Sequence, residues 1–166
     1  LRAYLNKESD DIFPLLSKHF EQIAMAKVSA SALEAKEMGY LKNEDVIIAN
    51  PHELLYVAKQ QALAMLESGF RSPLDDTFKV VGKAGYANIM AQVANLFEGN
   101  FMSEHDKYCI SSLAKVMTGS LVEENTVVNS KMLLDLEQKY FVELLGTQKT
   151  QDRIEFMLRN SKPLRN

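Results

Sequence analysis

The feature that most constrains the fold of this sequence is a helical repeat of apolar residues, divided into segments by glycine and proline. Over residues 10–26 apolar side chains recur every three or four positions, and Pro14 falls in the first turn, where a helix tolerates proline. Asn50 and Pro51 form a second start signal, an N-cap followed by proline at the first helical position, and Gly69 closes that segment. The pattern predicts one helix over 10–26 and another from Pro51 to Gly69.

A short helix between these two is predicted from its caps. Ser31 and Glu34 form the Ser-x-x-Glu pattern of a capping box, in which the serine side chain accepts a hydrogen bond from a helical N–H. Gly39 follows at the position where a left-handed residue ends many helices. Residues 46–48, Val-Ile-Ile, are a brief β-prone run without a partner strand, so at most a fragment of strand is expected.

The second half of the chain repeats the helical pattern four more times. Gly99, Gly119 and Gly146 mark the ends of three segments, and Ser103 supplies an N-cap followed by acids in the first turn. The predicted helices span residues 84–98, 103–117, 130–145 and 148–159. The sequence therefore predicts an all-α fold, a helical bundle of about six to seven helices.

One stretch between the helices has the composition of a linker. Residues 71–83 combine a Ser-Pro pair, two aspartates and a glycine with weak apolar periodicity. A chain of 166 residues can form one compact domain or two smaller lobes. We expect a first helical part over 1–70, a linker over 71–83 and a helical extension over 84–166.

Composition argues against several classes of protein. The chain is 46% hydrophobic and 25% charged, as ordinary globular domains are, and its net charge of −3 with scattered basic residues argues against nucleic-acid binding. Charged and amide residues interrupt every apolar stretch before the ~20 residues that a membrane span needs. The sole cysteine, Cys109, favours a reducing, cytoplasmic compartment and is interpreted as a small buried hydrophobic residue. The start at Leu1, without a signal-peptide layout, suggests a chain cut from something longer.

A search for reactive patterns assigns no catalytic, cofactor-binding or metal-binding residue. His19, His52 and His105 lie far from one another in sequence and are interpreted as surface or core histidines rather than metal ligands. Residues 82–85, Gly-Lys-Ala-Gly, stand before a helix but lack the glycine count and strand context of a phosphate-binding loop. Adjacent acids occur at 10–11, 75–76 and 123–124. They are interpreted as solvated faces or helix caps rather than as acid–base pairs.

Residues 20–41 resemble a segment that follows the catalytic core in the crotonase (enoyl-CoA hydratase/isomerase) superfamily. There a helix leads into a short Ala-x-Glu-Ala-x-x-x-Gly-Leu-Val segment, and the matching residues here are Ala32, Glu34, Ala35, Gly39 and Leu41. Tyr40 separates the glycine from the leucine, and Ala26-Lys27 replaces the usual Thr-Gly that precedes the segment. These departures resemble those of one subgroup.

That subgroup is the bacterial bifunctional 3-hydroxyacyl-CoA dehydrogenase with a C-terminal crotonase module, and the similarity covers nearly the whole chain. Segments that look similar to its C-terminal extension are 53–60, 103–106, 115–119, 133–137 and 162–166. The resemblance implies a parent enzyme of fatty-acid β-oxidation, which transfers hydride from a 3-hydroxyacyl-CoA to NAD and hydrates an enoyl-CoA. The glycine-rich NAD fingerprint and the oxyanion-hole segment are not found in this sequence, so no catalytic residue is carried over.

Three classes of function are open at this stage. The chain could be a non-catalytic C-terminal portion that packs on the rest of the parent and on further copies, an independent helical interaction module, or a small enzyme, which the motif search argues against. The resemblance implies that NAD and the coenzyme A thioester are bound elsewhere in the parent and that this fragment alone is inactive. We also expect helix 10–26 to expose an apolar face that the parent covers, formed by Phe13, Leu16, Phe20 and Ile23.

Overall fold

A computed structural model of the chain describes residues 11–71 and 77–166. In this described part the chain forms seven α-helices, one 3-10 turn and two three-residue strands, so the predicted all-α class is confirmed. In chain order the elements are α1 (Phe13–Ala24), α2 (Ala32–Glu37), the 3-10 turn Pro51–Glu53, α3 (Leu54–Glu67), β1 (Thr77–Lys79), α4 (Gly82–Glu98), α5 (Glu104–Thr118), β2 (Val127–Asn129), α6 (Ser130–Leu145) and α7 (Gln148–Asn160).

The described residues divide into two compact units. Residues 11–26 and 77–166 form one, which we call the core unit, and residues 27–71 form the other, the 27–71 unit. This division differs from the expected one, because α1 joins the helices of the second half. Strand β1 also lies inside the segment 71–83 that we expected to be a linker. Residues 72–76 of that segment lie outside the described residues.

The core unit is built around α5. Helix α4 packs along one side of α5, and α1 and α6 also pack against it. The buried side chains form two clusters, of which the first contains Leu16, Phe78, Val80, Val128 and Leu133, and the second Phe20, Ile89, Val93 and Ala114. Because α1 contributes to both clusters, it ties the start of the described chain to the second half.

The predicted exposed face of helix 10–26 is wrong for two of its four residues. Leu16 and Phe20 are 2% and 7% exposed, because α1 packs on α5 and inserts both side chains into the core unit. Phe13 packs partly buried against the second cluster. Ile23 alone among the four is about half exposed. Most of the apolar stripe of α1 is therefore core, with Ile23 at its exposed end. Residue 10, where the predicted helix begins, lies outside the described residues.

A two-stranded antiparallel ladder joins distant parts of the core unit. Thr77 pairs with Asn129 and Phe78 with Val128, which places both central side chains in the first cluster. The sequence analysis did not predict either strand, since three residues are too few for a periodic signal. It considered a strand only at 46–48, where the structure has none.

The 27–71 unit has well-formed helix ends. Ser31 Oγ accepts the Glu34 N–H at 3.1 Å, as predicted, whereas the Glu34 carboxylate accepts the Ala30 N–H one residue before the expected position. Gly39 has a left-handed φ of +82°, which confirms its predicted conformation at the end of α2. The Asn50 side chain accepts the N–H of residue 52 and so caps the turn that opens α3.

Candidate functional site

The most elaborate polar cluster that we find in the described residues lies at the start of α5. Ser103 is the N-cap residue, and its Oγ accepts the Asp106 N–H at 3.1 Å. The Asp106 carboxylate accepts the Ser103 N–H in return at 3.0 Å, which completes a capping box. The predicted N-cap is therefore confirmed, and it positions a carboxylate on the surface that faces α7.

Arg153 of α7 binds this carboxylate. Its Nη1 donates to Asp106 Oδ1 at 2.8 Å, and its Nε donates to the side-chain oxygen of Asn166, also at 2.8 Å. Arg153 and Asp106 are both less than a quarter exposed. Burial alone would raise the pKa of the Asp106 carboxyl, but the hydrogen bonds from Ser103 and Arg153 outweigh it and hold that pKa below its usual value.

His105 lies on the same turn and is held from α7 as well. The residue is 6% exposed, and its Nε2 lies 3.0 Å from Thr150 Oγ1. Burial, followed by the positive charges of Arg153 and Lys149, lowers the pKa of His105 below its usual 6.5. A neutral, hydrogen-bonded ring at pH 7 agrees with the interpretation of His105 as a core histidine.

Cys109 lies four residues after His105 on α5, a spacing that the sequence interpretation passed over. Cysteine and histidine on one helix face can form a thiolate–imidazolium pair, which needs a lowered thiol pKa and a charged ring. Here burial raises the pKa of the half-buried Cys109 thiol, while the pKa of His105 is lowered. Both shifts oppose an activated nucleophile. The contacts of Asp106 with Arg153 and of His105 with Thr150 instead join α5 to α7, and we call this cluster the clamp.

The glycine-bearing segment before α4 has a structural role. Gly82 has a φ of +53°, and a Cβ there would collide with the backbone of residues 122–123. The Lys83 N–H donates to the Val122 carbonyl at 2.8 Å, and the Lys83 ammonium forms an ion pair with Glu123. One of the N–H groups that a phosphate would need is therefore already used.

One cavity of the core unit lies beside this helix start. It has a volume of about 190 Å³, and its polar lining residues are Asp11, Lys79, Asn88, Glu124 and Asn125. All five residues are exposed, and the volume is below the roughly 300–1,000 Å³ of typical small-molecule pockets. This cavity does not have the form of a nucleotide or acyl-CoA site.

The remaining residues considered as ligands or acids are placed as follows. His19 Nδ1 lies 2.9 Å from Gln22 Oε1 within α1, and His52 is exposed. Asp11 accepts the Phe13 N–H at the start of α1. Within residues 11–71 and 77–166 no group of three or more His, Cys, Asp or Glu side chains is arranged to hold a metal ion. The acids at 10, 75 and 76 lie outside that part of the chain.

A second surface feature is an apolar stripe on α3. At 3.6 residues per turn, six apolar residues of this helix fall within an arc of roughly 120° that contains no polar residue. We call this set the α3 stripe; it consists of Leu54, Leu55, Ala58, Ala62, Met65 and Leu66. All six residues are exposed, and Leu55 reaches 82%.

Over 165 residues the chain is 41% identical to a protein of Bacillus subtilis (strain 168) named probable 3-hydroxyacyl-CoA dehydrogenase. The match covers 98% of this chain and 21% of that relative, so the chain spans about a fifth of the relative's length. No family model matches the chain, and no solved structure matches it significantly. The similarity to a dehydrogenase of this name is thus confirmed, while the crotonase module stays a prediction.

The sequence could have indicated only part of this arrangement. The Ser103–Asp106 capping box is visible in the sequence as a three-residue spacing, and the helical repeat places the α3 stripe on one face. The pairing of Arg153 with a carboxylate 47 residues away has no local signal.

Of the helices in the described residues, none is long and apolar enough to cross a membrane.

Proposed function

We propose that this chain is a non-catalytic helical portion of a cytoplasmic fatty-acid β-oxidation enzyme, an NAD-dependent 3-hydroxyacyl-CoA dehydrogenase that also hydrates enoyl-CoA. Its role is packing and subunit contact within that enzyme. The observation that carries the proposal is the 41% identity across 98% of the chain to about a fifth of a protein named as such a dehydrogenase. A match of this extent favours a corresponding piece of a longer polypeptide.

The proposed organisation follows the resemblance, with one modification. Residues 1–70 are the C-terminal helices of a crotonase-like module, 71–83 a linker and 84–166 a helical extension. We modify this division by placing residues 11–26 with the extension, and the packing of α1 on α5 supports that change. The short α2 and the helix α3 then remain as the crotonase-like part.

NAD and the coenzyme A thioester belong to other parts of the enzyme in this proposal. The start of α4 and the cavity beside it favour this assignment, because the Lys83 N–H already donates to the Val122 carbonyl and that cavity is only about 190 Å³. The Cys109 and His105 side chains are tuned away from nucleophilic chemistry. No reaction step is therefore assigned to residues of this chain.

A spectrophotometric assay of the purified 166-residue chain tests the assignment. With NAD and a short-chain 3-hydroxyacyl-CoA, or with an enoyl-CoA, we expect no turnover above a buffer blank. The longer protein that contains this sequence is the positive control and is expected to reduce NAD. Turnover by the 166 residues that a single substitution in them abolishes would contradict the proposal.

Two substitutions in the longer protein test the non-catalytic role. Gly39→Val places a side chain at a left-handed φ, and Ser31→Ala removes the cap of α2. Each is expected to lower the melting temperature and to reduce turnover only in proportion to the loss of folded protein. If either variant kept its stability and lost turnover, this segment would have to be assigned to the active site.

The second candidate function is an independent helical protein-interaction module, which the exposed α3 stripe favours. The two candidates differ in one simple respect, the coding sequence upstream of Leu1. A dehydrogenase portion requires upstream sequence in frame that encodes the glycine-rich NAD fingerprint. An interaction module requires none.

A further inference from the structure

Helix α7 is held on the core unit chiefly by polar contacts. None of its 13 residues is buried, and in the described part of the chain none belongs to either apolar cluster. Within the helix Thr150, Asp152 and Arg153 are partly buried and the other residues are exposed. Two of these three, Thr150 and Arg153, are the residues that α7 contributes to the clamp. Docking of α7 therefore depends mainly on the clamp and not on an apolar interior.

His105 receives its hydrogen-bond partner and its positive neighbours from α7. Thr150 Oγ1 lies 3.0 Å from the ring, and the two cations that act on the ring, Arg153 and Lys149, belong to the same helix. Asp106 of α5 opposes them, and the other described helices that pack against α5 contribute none of these charges. When α7 leaves, the ring therefore gains solvent and loses both cations.

We propose that α7 is a releasable helix, docked on α5 by the clamp at neutral pH and released when His105 binds a proton. In the docked state the protonated ring faces Arg153 and Lys149, and like charges held together repel. Release separates the ring from both cations. A helix of 13 residues is marginal on its own in water, so α7 loses helical structure as it leaves. This inference concerns conformations of the chain itself and does not rest on the proposed function.

Proton linkage sets the direction of the effect. Burial, followed by the charges of Arg153 and Lys149, lowers the pKa of His105 in the docked state. The released state binds the proton more tightly, so docking weakens as the pH falls below 6.5. The Cys109 thiol lies one turn further along α5, and its raised pKa keeps it uncharged in this range.

Hydrogen exchange of the 166-residue chain tests whether α7 opens by itself. Opening constants of the α7 and α4 amides are measured at about pH 7 and about pH 5, above the range in which Asp106 titrates, with correction for the intrinsic exchange rate at each pH. We expect α7 to open at least about tenfold more readily than α4 at both values, because α4 carries the buried Ile89 and Val93. Equal opening constants would mean that α7 leaves only when the core unit unfolds, and would overturn the proposal.

A histidine substitution tests which group controls α7. From about pH 7 to about pH 5 the opening constant of α7 should rise at least about fivefold in the unsubstituted chain. In His105→Gln, which keeps a hydrogen-bonding side chain but takes up no proton, it should change within about twofold. His52→Gln, at an exposed histidine of the 27–71 unit, is the matched control and should behave as the unsubstituted chain does. A full rise in His105→Gln, or no rise in the unsubstituted chain, overturns the proposal.

Lys149→Met provides a second test that leaves both clamp contacts in place. Lys149 is exposed and acts on His105 through its charge, so its loss should make the rise in α7 opening smaller without abolishing it. Substitution of an exposed side chain should leave the fold unaffected, which keeps this test decisive if His105→Gln fails to fold. A rise in Lys149→Met as large as that of the unsubstituted chain contradicts the proposal.

Discussion

The core unit and the 27–71 unit both contain helices with side-chain N-caps, but their interiors are very different. The core unit buries ten hydrophobic residues and exposes fourteen large ones, whereas the 27–71 unit buries one and exposes twelve. Ser31 and Asn50 cap helices of the 27–71 unit as Ser103 caps α5 in the core unit. Local sequence therefore sets where a helix begins and ends, and tertiary burial decides how stable it is.

Identical leucine truncations in the two units are expected to show the largest difference. Leu16→Ala removes a side chain that is 2% exposed and should lower the free energy of unfolding by about 2–5 kcal/mol. Leu55→Ala, at 82% exposure, should change it by less than about 0.5 kcal/mol. Denaturant unfolding of the 166-residue chain measures both. A cost for Leu55→Ala close to that of Leu16→Ala would show that the 27–71 unit has an interior after all.

A second pair of substitutions compares two left-handed glycines. Gly119 has a φ of +81°, and a Cβ there would lie 2.7–2.9 Å from carbon atoms of Val80. Gly69 has a φ of +73°, with no neighbouring described atom within 4 Å. Gly119→Ala should cost about 2–4 kcal/mol from backbone strain and crowding together, and Gly69→Ala about 1–2 kcal/mol from backbone strain alone.

Melting of the two alanine variants side by side separates crowding from backbone strain. The matched conformations cancel the contribution of the left-handed φ, so the difference between the variants reports the packing around Val80. Equal losses in the two variants would mean that the core unit accommodates the extra methyl group and is less tightly packed than its contacts indicate.

The clamp between α5 and α7 is expected to contribute less than the apolar clusters. Arg153→Met leaves the partly buried Asp106 carboxylate without its ion pair and should cost about 1.5–3 kcal/mol. Arg159→Met, in the exposed pair with Glu155 on the same helix, should cost less than about 0.5 kcal/mol. Hydrogen exchange should show faster opening of α5 and α7 in Arg153→Met than in Arg159→Met. Equal exchange of these helices in the two variants would contradict the stabilising role of the Arg153–Asp106 pair.

Acid is expected to destabilise the core unit through the same cluster, and this is the smallest of the four effects. The folded-state pKa of His105 is lowered, so the unfolded chain binds the proton more tightly and stability falls as the pH drops below 6.5. Arg153 and Lys149 face the ring as positive charges, and Asp106 partly opposes them. The lowered pKa of Asp106 adds a second loss, as the pH falls from about 3.8 through its folded-state value.

Melting temperatures of the chain and of His105→Gln, recorded from neutral to acidic pH, check this prediction. Between neutral pH and the range where Asp106 titrates, the melting temperature of His105→Gln should fall less than that of the unsubstituted chain. Where Asp106 titrates, the two melting temperatures should fall by the same amount. An unchanged pH dependence in His105→Gln would assign the acid sensitivity to another group.

Sequence reasoning was accurate where the physical signal is local. The predicted helix 130–145 has the observed bounds, and the caps at Ser31, Ser103 and Gly119 are confirmed. These predictions succeeded because caps and left-handed residues act within one turn of the chain.

Sequence reasoning was inaccurate where the deciding contact is distant. The stripe of α1 was expected to be exposed, but residues some 60 to 120 positions further along the chain bury it: the two strands and α6 cover Leu16, and α4 and α5 cover Phe20. The exposed stripe is instead on α3, whose apolar pattern looks just as suitable for burial. Periodicity identifies an apolar face, and only the tertiary arrangement determines whether a partner lies within the same chain.

The β1–β2 ladder closes a loop of about 50 residues that contains both α4 and α5. Such a loop costs conformational entropy before the pairing of Phe78 with Val128 can stabilise it. The α4–α5 hairpin needs only local contacts, and once formed it shortens the effective loop that the two strands must close. We therefore expect the hairpin to form early in folding and the ladder to form late, so substitutions at Phe78 should accelerate unfolding more than they slow folding.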